Sequence, residues 1–212
     1  MTKIIKSISY NQTEIISNII KLHVPQGFID LDCTYSKGHF YKNTNIIEPI
    51  YKFDLFPQTL DTIAASADSL PLADSIVECV MFDPPFLATT GKSLLIDDGN
   101  NKINKRFGVF PTELKLHEFY VNATKEIHRI LKDDGILIFK CQDKVSSSKQ
   151  YMSHCFVYNT AVENGFYPKD LFILLAKNRL VANWQLENQK NSRKFHSYFW
   201  VFQKSKKNIR YV

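Results

Sequence analysis

A chain of 212 residues has room for one well-buried domain with a few additions, and too little for two ordinary ones. At 44% hydrophobic and 23% charged, with only 7 Gly and 8 Pro, the composition excludes a disordered chain. The net charge of +6 is uneven: residues 1–106 hold 10 Lys+Arg and 12 Asp+Glu, net −2, whereas residues 107–212 hold 17 and 9, net +8.

The first residues lack the apolar core of a secretory signal, and nowhere do about 18 apolar residues run together, so a cytoplasmic protein with no membrane contact is expected. Cys33, Cys79, Cys141 and Cys155 form no CxxC pair and show no metal-like spacing. Reduced, mostly structural thiols and no metal site are expected.

In chain order, residues 13–25 carry Ile15, Ile16, Ile19, Ile20 and Leu22 at helical spacing, closed by Pro25. Short strands are predicted over 27–32, 48–56 and 62–67, and a clearer one over 77–82. From Thr112, an N-cap candidate, apolar residues at 116, 119, 120, 123, 127, 130 and 131 predict a long helix stopped by Gly135. A continuous apolar strand over 136–141, a helix over 152–165, and strands over 172–176 and 197–202 complete the series.

Nearly all-apolar strands alternating with helices predict a parallel sheet covered on both faces, with the last two strands antiparallel. The chain is expected to be a single domain over 1–212, with a mobile substrate loop over 87–112 and a small insertion over 177–196. Ligands of such sheets bind beyond the carboxyl ends of the strands. Three of the strands carry acids at or near their ends, around one crevice: Asp32, Asp54 and Asp83.

In order, FIDLDCTYSKG, KFD, ADSLPLADS, VMFDPPF and LKDDGILIFKCQD resemble the successive motifs of class I S-adenosylmethionine-dependent methyltransferases. More narrowly, the chain resembles small bacterial and phage-borne DNA methyltransferase-like proteins. In these a YSKG or YGKG turn replaces the Gly-rich loop, and a late segment like NSRKFHSYFWVF (191–202) follows the KCQD strand. The resemblance implies a Rossmann-like α/β fold with a mostly parallel seven-stranded sheet, helices on both faces and an antiparallel last strand. It also implies S-adenosyl-L-methionine as cofactor.

By that resemblance, Asp32, Thr34, Tyr35, Lys37 and Gly38 match the first cofactor motif, with Lys37 either on the cofactor carboxylate or in solvent. Asp54 matches the acceptor for the ribose hydroxyls, and Asp68, with Ser69 and Leu70, the residue beside the adenine amine. Gln12 is placed at the methionine end. In DPPF, Asp83 and the Pro84 carbonyl would accept the two N–H groups of an exocyclic base amine. Pro84 and Pro85 fix the backbone, and Phe86 offers a face for a base outside its stack.

Lys105, Arg106, Lys140, Gln142, Arg193, Lys194 and His196 are substrate-contact candidates, and basic residues among Phe195, Tyr198, Phe199 and Trp200 suit a nucleic acid. DNA is the first choice, at adenine N6 or cytosine N4. An RNA base, or a silent nucleic-acid-binding module of the same fold, stays open. About 40 residues remain for target reading, so a protein partner or homodimer could supply specificity.

Overall fold

The computed structural model describes residues 4–86, 88, 110–146, 149–178 and 189–206. Among them the chain runs β1 (Ile8–Ser9), α1 (Gln12–His23), β2 (Leu31–Asp32), β3 (Tyr51–Asp54), β4 (Ile63–Ala64) and β5 (Val77–Phe82). It continues through α2 (Glu113–Ile130), β6 (Leu131–Cys141), β7 (Lys144–Ser146), β8 (Lys149–Tyr151), α3 (Ser153–Glu163), β9 (Phe166–Leu175) and β10 (His196–Lys204). Eight strands form one sheet in the order β1-β9-β10-β6-β5-β2-β3-β4, and β7-β8 is a separate hairpin. Neighbours in the sheet are parallel except around β10, which lies antiparallel between β9 and β6. The expected sheet with a reversed last strand is present; two-residue β1 adds an eighth strand beside β9.

The strands are apolar on both faces because both are covered. Val80, Phe82, Leu137 and Phe139 point into a core with Leu116, Tyr120, Ala123 and Ile127 of α2 and Val157 and Ala161 of α3. Their neighbours Cys79, Met81, Ile136 and Ile138 point the other way, onto Ile15, Ile16, Ile19 and Ile20 of α1. Residues 33–50 form turns rather than a helix and add Phe40, Tyr41 and Ile46 to that second layer. Asn11 caps α1 by accepting from the Thr13 and Glu14 N–H groups, and Thr112 caps α2 by accepting from Lys115 N–H, as its sequence position predicts.

Gly135 does not stop α2. That helix ends at Ile130, and Leu131 already pairs with Val77. The ladder resumes at Cys79↔Ile136, so 132–135 bulge out of β6, with Asp134 at φ +62°. A Cβ on Gly135 would lie 2.8 Å from the Lys132 carbonyl oxygen and 3.3 Å from that of Glu78, which is why glycine sits in the bulge.

β2, β3, β5 and β6 all end at one rim, and antiparallel β10 begins there, with Tyr198 opposite Cys141. No helix among the described residues is long and apolar enough to cross a membrane.

Candidate active site

The loop after β2 is stitched to the strand ends on either side of it. Tyr35 N–H donates to the Phe53 carbonyl at 3.0 Å, and Ser36 N–H donates to Asp54 Oδ2 at 2.8 Å. On the other flank, Asp83 N–H donates to Thr34 Oγ1 at 2.8 Å. Asp54 Oδ1 also accepts from Phe56 N–H at 2.8 Å, so this carboxylate is a fixed acceptor at the end of β3.

Asp32, matched to the first cofactor motif, is the last residue of β2. It is fully buried, its Oδ1 accepting from Thr34 N–H at 2.9 Å and its Oδ2 from the Tyr41 hydroxyl at 2.8 Å. Burial pushes its pKa up to about 7, against the lowering effect of those bonds. Its carboxyl organises the loop from inside.

Gly38, at φ +69°, has a local reason to be glycine: a Cβ there would fall 2.4 Å from the Tyr35 hydroxyl. The Tyr35 ring, buried and stacked on Tyr41 at 5.7 Å, fills that space. Lys37 is exposed.

The DPPF segment leaves β5 with its carbonyls treated unequally. The Tyr120 hydroxyl donates to the Pro85 carbonyl at 2.6 Å, and Lys144 Nζ donates to the Phe86 carbonyl. No described group donates to the Pro84 carbonyl. Lys144 is itself buried and ion-paired with Glu113 Oε2 at 2.8 Å; burial pushes its pKa down.

Lys140, a substrate-contact candidate near the end of β6, turns toward the DPPF acid. Its Nζ lies 3.0 Å from Asp83 Oδ2 and 5.1, 5.7 and 5.5 Å from the ring centres of Phe40, Phe86 and Phe199. Burial raises the Asp83 pKa, and the Lys140 charge and hydrogen bond oppose that rise.

The sequence profile of the N6/N4 DNA methylase family matches residues 77–212, a stretch that includes DPPF and everything after it. The chain belongs to that family. Among curated proteins none matches. Among solved structures, a chain from the complex of the Haloferax volcanii Trm112 methyltransferase activator with a candidate methyltransferase is 11% identical, with a TM-score of 0.53 over 95% of this chain and 92% of that one. This likeness establishes the fold. A candidate DNA modification methylase from Thermus thermophilus is 16% identical, with a TM-score of 0.44 over 70% of this chain and 55% of its own. The cytosine-N4-specific PvuII DNA methyltransferase is 15% identical, with a TM-score of 0.43 over 63% and 44%. The chain thus spans about half the length of those two enzymes.

The other candidates of this DNA methylase family member distribute as follows. Asp68 follows β4, half-buried, and accepts from the Ser66 hydroxyl; Ser69 is exposed and Leu70 buried. Gln12 opens α1, directly after β1. Gln142 Nε2 donates to the His196 carbonyl at 2.8 Å, tying the end of β6 to the start of β10. Arg193 and Lys194 lie half-buried in the segment leading into β10, and the Lys194 ammonium donates to Ser192 Oγ at 3.2 Å. Lys105 and Arg106, like most of 87–112, lie outside the described residues. Among the described residues, no group of three or more His, Cys, Asp or Glu could hold a metal.

Three residues that hold DPPF escaped the sequence reading. Tyr120 had a signal: a tyrosine on the buried stripe of a helix needs a partner for its hydroxyl. Lys144 and Glu113 had none, since nothing local announces a buried ion pair between residues on different elements.

Proposed function

We propose that this methylase-family chain transfers a methyl group from S-adenosyl-L-methionine to an exocyclic amine of a DNA base, adenine N6 first and cytosine N4 next. The observation that carries this reading is the unequal treatment of the DPPF carbonyls: Pro85 and Phe86 are tied down, while the Pro84 carbonyl and the Asp83 carboxylate remain as acceptors on a rigid segment. A base amine is a poor nucleophile because its lone pair is conjugated with the ring. Two acceptors taking its two N–H bonds favour a pyramidal nitrogen, and fixed geometry supplies much of the rate. An ionised Asp83 is the stronger, acceptor-only form, and Lys140 favours that state. Phe86 provides a stacking surface for a base outside its duplex.

When bound, the cofactor supplies an electrophilic methyl group. Asp54, locked by Ser36 and Phe56, suits the ribose hydroxyls, and Asp68 and Leu70 suit the adenine. Gln142, Arg193, Lys194 and His196 are the proposed substrate contacts. The whole chain acts as one methyltransferase domain in the cytoplasm, with a partner subunit or second copy assisting target recognition.

Incubation with labelled cofactor and separate DNA and RNA pools, followed by nucleoside analysis, tests the proposal. Label in a DNA amino-methylated nucleoside is expected; label in RNA alone would reassign the substrate, and label in protein alone would refute it.

A second reading, a nucleic-acid-binding module without turnover, is favoured by the Tyr35 ring packed over Gly38 in the first motif. It predicts no thermal stabilisation by millimolar cofactor, whereas a binder gains stability by mass action.

A further inference from the structure

One nucleophile lies outside the methylase machinery. Cys33, Cys79 and Cys141 are buried, but Cys155, in the first turn of α3, is exposed. Its Sγ is 3.3 Å from His154 Nε2. The other ring nitrogen, His154 Nδ1, lies 2.8 Å from both carboxylate oxygens of Asp143, whose side chain is 3% exposed. A ring nitrogen facing a buried carboxylate is the donor, so Nε2 carries the lone pair and faces the thiol. Nucleophile, base and orienting acid stand in the order that activates a nucleophile elsewhere.

The imidazole is held there by more than the acid. Its ring stacks on Tyr198, with centroids 4.4 Å apart and planes at 21°, and Tyr198 donates from its hydroxyl to Asp143 Oδ2 at 3.3 Å. Trp200 Nε1 donates to the His154 carbonyl at 3.2 Å. Thus β10 fixes the base, the segment after β6 supplies the acid, and α3 presents the thiol to solvent. Asp143 Oδ1 also accepts the His154 backbone N–H at 3.1 Å, and Tyr198 and Trp200 pack against the core, so the base is held on a fixed support.

We propose that Cys155 is a reactive thiol, activated by the His154–Asp143 pair, that is modified by hydroperoxides. His154 Nε2 takes the thiol proton, and the thiolate attacks one peroxide oxygen. An S–O bond forms as the O–O bond breaks. Sulfur is oxidised by two electrons, and the departing oxygen takes the proton from His154, leaving as water when the oxidant is hydrogen peroxide. The product is a sulfenic acid on an exposed helix end.

The test treats the full chain with hydrogen peroxide, traps sulfenic acid with dimedone, and maps the adduct by peptide mass spectrometry. The adduct is expected on Cys155, forming at least about tenfold faster in the native protein than in the same protein unfolded in urea, where the base is no longer beside the thiol. His154→Gln should reduce the native rate to the unfolded one, and Cys155→Ser should abolish the adduct. Equal rates in native and unfolded wild-type protein would overturn the proposal whether or not the His154 variant folds. First labelling at Cys33, Cys79 or Cys141 would overturn it too.

Discussion

Lys140 Nζ sits 3.0 Å from Asp83 Oδ2, with only 13% and 22% of the two side chains exposed. Three phenyl rings surround the ammonium, so the pair forms in a place where water screens little. Lys140 therefore favours the charged form of Asp83. Burial pushes its pKa above the ordinary carboxylate value and Lys140 pulls it back. In Lys140→Met only the upward push remains.

The consequence is a displaced pH profile. Methyl transfer should fall as pH drops through the Asp83 pKa, and in Lys140→Met that acidic limb should move to higher pH. Lys140→Arg should keep it near the wild-type position. The measurement is kcat/KM against pH for all three proteins. A lower rate with an unmoved limb would mean that Lys140 acts through packing or substrate contact instead.

Asp83→Ala removes the acceptor itself. The expected result is a loss of about 100-fold or more in kcat, the scale on which misplaced reacting groups cost rate, with cofactor binding nearly unchanged. Single-turnover kinetics with calorimetric titration of the cofactor separates the two. Full activity in this variant would remove the proposed role of the DPPF acid.

Much of this arrangement was legible because it is local. Strand 77–82 is bounded by its own apolar run, and Thr112 caps α2 where the periodicity begins. The acids at strand ends were visible for the same reason. What stayed hidden depends on contacts between distant segments. That Asp32 turns inward follows from Tyr41, whose hydroxyl reaches it across a turn. That Lys140 faces Asp83 follows from the parallel register Phe82↔Phe139. Gly135 misled because glycine ends helices and also fills bulges, and only the neighbouring carbonyls decide between them.

Asp32 should make stability pH-dependent in a direction opposite to most carboxylates. Its folded pKa, about 7, lies above its unfolded value near 3.8. Its contribution is therefore full below the unfolded value, declines as pH rises, and is lost above about 7. Asn at this position keeps an acceptor for Thr34 N–H without the buried charge. Asp32→Asn should thus gain on wild type as pH rises from 5 to about 8. Thermal unfolding of both proteins across that range checks it; a gap constant with pH would mean that the carboxyl does not titrate there.

The Lys144–Glu113 pair separates stability from positioning. Both side chains are buried, at 7% and 9% exposure, and the Lys144 ammonium also holds the Phe86 carbonyl. Removing one partner leaves a buried charge alone, so Lys144→Met should cost about 3–5 kcal/mol in urea unfolding. Adding Glu113→Leu removes the stranded carboxylate, and the double variant should recover most of that loss. It does not restore a donor to the Phe86 carbonyl. The double variant should therefore be nearly as stable as wild type yet slower in methyl transfer, by about tenfold if the DPPF backbone loosens. Recovery of stability and rate together would show that the pair only fills space, and that Tyr120 alone is enough to hold the segment.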